Sequence, residues 1–333
     1  MNTSSYDFNS APGLPTRDLR ADRRRLALPA LGVTAITLLT LVAQLILVIP
    51  VRLFAPQLVD QPWFLVIFST APMYLIAMPL SLLIFRRVKA DPPRQQHLGI
   101  LTLLGLLALC FALTYVGNFI GVLVNAMIER LTGVVQINDL EALTMQTPLW
   151  ANLLFAGIFA PILEEIFYRK LIIDRWRAFG DLPAVLLSGL LFGLIHGNFS
   201  QFFYAAMIGM ILGYVYLRTG RLRYTVFLHM GINLIGGVYT TEVMKQLDLD
   251  SLAADPLTYI AQNPLPVCLF AAYFCFIMLC FVVTPIVIAL LWRKIHFVKA
   301  EPRVTAQHWR RILLQNPAIW FTLAIIVIMF LFS

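Results

Sequence analysis

Apolar runs of about 20 residues recur along this 333-residue chain and constrain its fold more than any other feature. A helix of that length crosses a bilayer, because each residue adds about 1.5 Å and the hydrocarbon core is about 30 Å thick. The runs cover approximately residues 27–51, 62–85, 98–127, 149–168, 183–199, 201–217, 224–241, 265–292 and 316–332. The pattern predicts an all-α, polytopic transmembrane helical bundle of about eight to nine spans.

The composition is also that of a membrane protein. Hydrophobic residues make up 60% of the chain, charged residues make up 13%, and the mean hydropathy is +0.81. Residues 1–26 precede the first run and are polar and arginine-rich, which predicts a cytoplasmic basic tail instead of a cleaved signal peptide. Residues 27–333 are expected to form the transmembrane bundle, because the loops are too short for a separate soluble domain.

Positive charges are concentrated in alternate loops between the apolar runs. Short loops rich in lysine and arginine stay on the cytoplasmic side, where they face anionic lipid. The cation-rich segments are 17–25, 86–94, 169–177, 218–223 and 293–311. This alternation predicts a cytoplasmic N-terminus and membrane lipid as a partner. The net charge of +8 resides in these loops, so it does not indicate a nucleic-acid partner.

Five polar side chains within the apolar runs indicate where the function lies. They are Glu164, Glu165, His196, His229 and Asn233. Ionisable groups inside a membrane are costly and mark a functional site by default. A single histidine in a span is commonly a hydrogen-bonded packing residue. Two histidines and a pair of glutamates on successive runs instead favour a catalytic constellation.

Helical spacing predicts different roles for the two adjacent glutamates. Glu165 and Arg169 are four residues apart and share a helix face, so the arginine can neutralise this carboxylate. Glu164 is rotated by about 100° from Glu165 and points elsewhere. A second carboxylate buried beside the first is suited to act as a general base or acid. The sequence therefore favours Glu164 as the catalytic carboxylate and Glu165 as its supporting neighbour; the alternative is that Glu164 is a paired structural glutamate.

The two histidine motifs have the same four-residue spacing. Phe192 precedes His196 by one helical turn, so its ring can shelter or orient the imidazole. His229 and Asn233 share a face in the same way. Their side chains would provide two donors for one oxygen, as an oxyanion site requires.

The sequence GDLP at residues 180–183 predicts a hairpin between two helices. Gly180 is expected to stop the first helix, with Asp181 as the N-cap and Pro183 in the first turn of the next helix. At about 1.5 Å per residue, Glu164 lies about 24 Å before the hairpin and His196 about 20 Å after it. These two side chains are therefore expected to meet at similar depth.

Taken in order, EEIFYR, FGLIH and HMGIN resemble the EExxxR, FxxxH and HxxxN pattern of the CPBP intramembrane proteases, which include CAAX prenyl endopeptidases and ABI-type bacterial members. The resemblance covers residues 149–240, approximately, and implies hydrolysis of a membrane-associated or prenylated protein or peptide. It implies that Glu164 and His196 activate water and that His229 and Asn233 stabilise the oxyanion. The site would be shaped by the remaining motif residues, Glu165, Arg169 and Phe192.

The sequence leaves the metal requirement open. The family is often called a metalloprotease family, and Glu164, His196 and His229 are candidate ligands for zinc. However, the chain has no HExxH motif, and asparagine is a poor zinc ligand. A direct glutamate and histidine mechanism without tightly bound zinc is therefore preferred.

Two other classes of function remain as alternatives at this point. A noncatalytic membrane scaffold or immunity-type protein would keep the fold without needing the complete polar set. A proton-coupled transporter would use intramembrane glutamate and histidine as a relay, but broken helices in paired halves are not evident. The sequence does not identify the substrate.

Overall fold

The computed structural model describes residues 17–133 and 139–331, and every regular element in these ranges is helical. The helices are α1 (Leu19–Phe54), α2 (Pro62–Phe85), α3 (Ile100–Thr132), α4 (Asp139–Gln146), α5 (Leu149–Phe179), α6 (Asp181–Leu194), α7 (Phe199–Thr219), α8 (222–244), α9 (Leu249–Ala254), α10 (Pro256–Gln262), α11 (Pro264–Lys294), α12 (Ala306–Leu314) and α13 (Pro317–Leu331). The predicted all-α transmembrane bundle is confirmed.

In the described residues, fewer helices are long and apolar enough to cross a membrane than the sequence predicted. Six meet both criteria, namely α1, α2, α3, α5, α7 and α11. The pair α12 and α13 is bent by 62° and makes a seventh if it counts as one span. Helix α6 has only 14 residues, and α8 contains His229 and Asn233, which reduce its apolar character. The prediction of eight to nine spans counted both of these site-bearing helices as complete spans.

Helix α1 begins within the segment predicted as a basic tail. The carboxylate of Asp18 caps it by accepting hydrogen bonds from the backbone N–H groups of Arg20 and Ala21, at 2.8 and 3.3 Å. The arginines at 20–25 therefore lie on the first turns of α1. Residues 1–16 of the predicted tail lie outside the described residues.

The cation-rich segments meet at one end of the bundle, called the basic end below. Backbone hydrogen bonds join these segments or residues directly beside them, between Asp91 and Asp174, Gln96 and Thr219, and Asp181 and Val298. Arg17 adds hydrogen bonds from its guanidinium to the carbonyls of Ala178 and Pro302. Segments predicted to share one side of the membrane thus lie together, and the assignment of that side to the cytoplasm stays a prediction.

Close packing of α6 against α7 positions the turn that carries His196. A Cβ atom at Gly193 would lie 2.7 Å from the carbonyl oxygen of Phe202, so a larger residue would push the two helices apart. Small residues serve this purpose in many membrane bundles. Helix α6 begins at the basic end and advances about 21 Å over its length. The turn between α6 and α7 therefore lies inside the bundle.

Candidate active site

Three π-helical segments carry or flank the polar side chains. They are Asn152–Phe159 and Ile166–Ile173 in α5, and Ile232–Tyr239 in α8. Glu164 and Glu165 end the short α-helical stretch Ala160–Glu165 between the first two segments. Such i→i+5 turns are rare and frequently occur at functional sites, because they displace side chains from regular helical positions.

Glu165 is completely enclosed by two partners. Its side chain and that of Arg169 are both 0% exposed. Arg169 donates from Nε and Nη2 to the two carboxylate oxygens, at 2.8 and 3.1 Å. His229 donates from Nδ1 to Oε1 at 3.1 Å. The predicted Glu165–Arg169 pair is therefore present, and the same carboxylate also fixes the orientation of the His229 ring.

Glu164 is the accessible member of the pair, with a side chain that is 20% exposed. Its Oε1 accepts a hydrogen bond of 3.0 Å from the hydroxyl of Tyr74. Its Oε2 lies 3.9 Å from Nε2 of His229, which is too long for a direct hydrogen bond. Oε2 and its partial exposure leave this carboxylate able to accept a hydrogen bond from water. Glu164 can therefore hold a water that Glu165 cannot reach.

His196 lies in the turn that follows α6. Its Nδ1 donates to the carbonyl oxygen of Phe192 at 2.7 Å, so Nε2 of the neutral ring is left as a hydrogen-bond acceptor. The Phe192 ring stands edge-on to both imidazoles, with centroid distances of 5.2 Å to His196 and 5.6 Å to His229. Gly197, at φ +72°, and Asn198, which donates to the His196 carbonyl at 2.9 Å, complete the turn.

Asn233 and His229 donate to different acceptors in this structure. The amide nitrogen of Asn233 donates to the carbonyl of Ala156 at 2.9 Å. In the π-helical register, that carbonyl would accept from residue 161, but Pro161 has no N–H. Asn233 therefore satisfies a carbonyl that α5 leaves without its helical partner. Only the second N–H of the Asn233 amide would then donate to an oxyanion.

The contact of Tyr74 with Glu164 was missed by the sequence analysis. Tyr74 lies in α2, within the π-helical segment Met73–Ala77, far from the three motifs in sequence. The one sequence feature that marks Tyr74 is its hydroxyl in an apolar run between Pro72 and Pro79. Such a signal indicates an irregular helix, but it does not indicate which side chain the hydroxyl meets.

The proposed ligands do not fit a three-ligand metal site as they are placed. Among residues 17–133 and 139–331, no three His, Cys, Asp or Glu side chains are grouped so that they could hold a metal ion. The Nδ1 atoms of His196 and His229 donate hydrogen bonds, which leaves Nε2 as the ring atom that could bind a metal. The carboxylate of Glu165 is occupied by Arg169 and His229, so it does not supply a further ligand.

Comparison with known proteins points to the segment that contains this site. Residues 146–235 match the model of a family described as type II CAAX prenyl endopeptidase Rce1-like. The family resemblance predicted from the motifs is confirmed. This CAAX-protease-like segment includes all of the motif residues, whereas Tyr74 lies outside it.

Two relatives are similar over parts of the chain. The "Putative membrane peptidase YdiL" of Bacillus subtilis is 29% identical over 82 residues, which cover 24% of this chain and 34% of the relative. The "UPF0177 protein YxdF" of Lactococcus lactis is 27% identical over 140 residues, which cover 40% of this chain and 73% of the relative. The chain thus spans only about a third of the Bacillus protein. No solved structure matches significantly.

Proposed function

We propose that this chain is a CAAX-type intramembrane endopeptidase, which hydrolyses a peptide bond of a membrane-associated or prenylated protein or peptide. The observation that carries the proposal is the unequal placement of the two glutamates. Glu164 is partly exposed and faces His229, whereas Glu165 is sealed by ion pairing. A purely structural pair would not require one carboxylate to remain accessible.

The depth of Glu164 supports hydrolysis within the membrane. It lies 15 residues from each end of the helix Leu149–Phe179, or about 22 Å from either end. The CAAX-protease-like segment points to protein or peptide substrates. The experiment below distinguishes a lipidated substrate from an unmodified one.

The chemistry begins with a water held by Glu164 and His196. The Glu164 carboxylate removes a proton from this water while Nε2 of His196 accepts a hydrogen bond from it. The water oxygen then forms a bond to the scissile carbonyl carbon, and the carbonyl electron pair moves onto its oxygen. The oxyanion then re-forms the carbonyl double bond as the carbon–nitrogen bond breaks, and Glu164 returns the proton to the leaving nitrogen.

His229 and Asn233 are proposed to stabilise the negative oxygen that forms in this reaction. Glu165 accepts the Nδ1–H of His229 and leaves Nε2 directed toward Glu164. An Nε2–H of the doubly protonated ring and the second amide N–H of Asn233 would donate to the oxyanion. Arg169 acts indirectly, because it holds the carboxylate that orients His229.

The function is tested by comparing membranes that contain the wild-type protein or the Glu164→Ala variant at equal abundance. New peptide termini that appear only with the wild type would identify substrates, and synthetic peptides that cover those sites would then be cut by purified protein. A farnesylated peptide ending in a CAAX sequence and its unmodified counterpart would establish the lipid requirement. Identical termini in both membranes and no cleavage of any peptide would contradict the proposal.

A further inference from the structure

Within the described residues, the Glu164 side chain has one direct hydrogen bond, which it accepts from the hydroxyl of Tyr74. The O–O distance is 3.0 Å, and Tyr74 is only 8% exposed. The hydroxyl donates, because an ionised carboxylate can only accept. This bond occupies Oε1, while Oε2 is the oxygen that faces His229 at 3.9 Å. The two oxygens of Glu164 are thereby made unequal.

The local structure of α2 accounts for the position of Tyr74. Pro79 has no N–H for the preceding turn, and the helix forms a π-helical turn in which Met78 N–H bonds to the carbonyl of Met73. Pro72 similarly leaves the carbonyl of Phe68 without its usual partner, and the side chain of Gln44 donates to it at 3.4 Å. The irregular turn and its support from α1 hold Tyr74 toward α5.

We propose that Tyr74 is a positioning residue for the general base Glu164: its hydroxyl holds Oε1, so that Oε2 is presented to the nucleophilic water and to His229. This inference rests on the proposed proteolytic function. It extends the active site to α2, a helix outside the CAAX-protease-like segment. Without the hydroxyl, the Glu164 side chain can rotate, and the water is no longer held in line with the scissile carbonyl.

The test compares Tyr74→Phe with the matched variant Tyr216→Phe. Tyr216 is also buried and donates to a carboxylate, Asp174, at 2.9 Å. That contact lies about 15 Å along α5 from Glu164. Both variants lose the same kind of hydrogen bond, but only Tyr74→Phe removes one from the proposed base. The control therefore reports the effect of a lost tyrosine–carboxylate bond on folding alone.

The kinetic readout is cleavage of the farnesylated CAAX peptide or, if that peptide is not cut, of the synthetic peptide found by the membrane comparison. We expect Tyr74→Phe to lower kcat by about 10- to 100-fold, the usual range for a hydrogen bond to a charged group. KM should be unchanged, because the substrate does not bind to the hydroxyl. Tyr216→Phe should leave kcat within about twofold of the wild type, even if its melting temperature falls.

A second readout follows the carboxylate itself by infrared spectroscopy. Subtracting the infrared spectrum of Glu164→Gln from that of the wild type isolates the carboxylate stretching band of Glu164. This band should shift in Tyr74→Phe and stay in place in Tyr216→Phe.

An unshifted band, or a kcat for Tyr74→Phe equal to that of Tyr216→Phe, would overturn the role of Tyr74 while Glu164→Gln remained inactive. Absence of cleavage by the wild type would instead overturn the proposed function, and the role of Tyr74 with it.

Discussion

Replacing Glu165 with glutamine should destabilise the protein much more than an ordinary ion-pair mutation. Glu165 and Arg169 are both 0% exposed and share two hydrogen bonds. Glutamine has nearly the same shape but would leave the Arg169 charge buried without a counterion. Breaking such a pair costs about 3–5 kcal/mol in free energy of unfolding. A cost of this size would also reduce the yield of folded protein.

The matched control for this variant is Glu242→Gln. Glu242, near the end of α8, is also paired to a residue close in sequence, Lys245, but these side chains are 26% and 22% exposed. Surface pairs contribute about 0–1 kcal/mol. Unfolding of both variants in mixed detergent micelles, followed by tryptophan fluorescence, would measure the difference in free energy of unfolding.

A double variant separates the ion pair from the role of Glu165 in catalysis. Replacing Glu165 with leucine and Arg169 with methionine removes both charges, so much of the lost stability should return. Cleavage should remain absent, because His229 has lost the acceptor for its Nδ1–H. A free energy of unfolding for Glu165→Gln within about 1 kcal/mol of the wild-type value would contradict this prediction.

Three further predictions concern the membrane orientation, the metal and the oxyanion. Single cysteines placed beside Arg86 and Arg218, in a background without the native cysteines, should both react from the cytoplasmic side. Labelling on opposite sides would contradict the proposed topology. If Glu164 and His196 activate water directly, cleavage should survive thorough chelation, whereas loss of activity on removal of stoichiometric zinc and recovery on its return would overturn that preference. Asn233→Ala should retain measurable cleavage with a rate lower by about 10²- to 10³-fold; an unchanged rate would remove Asn233 from the oxyanion site.

Contacts between residues four positions apart could be predicted from the sequence. The pairing of Glu165 with Arg169 and the placement of Phe192 against His196 both follow from four-residue spacing. The structure contains both contacts. The positive φ angle of Gly180, +105°, likewise agrees with the predicted helix stop. These features depend on the local backbone, which the sequence determines directly. The predicted N-cap was wrong, because Gly180 precedes the helix and the carboxylate of Asp181 accepts from Arg177 and from the backbone N–H of Val298 instead.

Contacts between distant helices could not be predicted in this way. The hydrogen bonds from Tyr74 to Glu164 and from His229 to Glu165 join residues 90 and 64 positions apart. Nothing in either local pattern indicates the partner. His229 and Asn233 donate to different acceptors, Glu165 and the carbonyl of Ala156. The π-helical segment that starts at Ile232, between them, is likewise not indicated by their four-residue spacing.

The most direct test of the account is the cleavage rate of a well-folded Glu164→Gln variant. Glutamine keeps the size of the side chain and can still accept a hydrogen bond from Tyr74, but it cannot take a proton from water. The purified variant should therefore unfold at nearly the same temperature as the wild type and show no detectable cleavage of a peptide that the wild type cuts. His196→Ala, which removes the second group on the water, should also be inactive. Normal cleavage by folded Glu164→Gln would contradict the assignment of Glu164 as the general base.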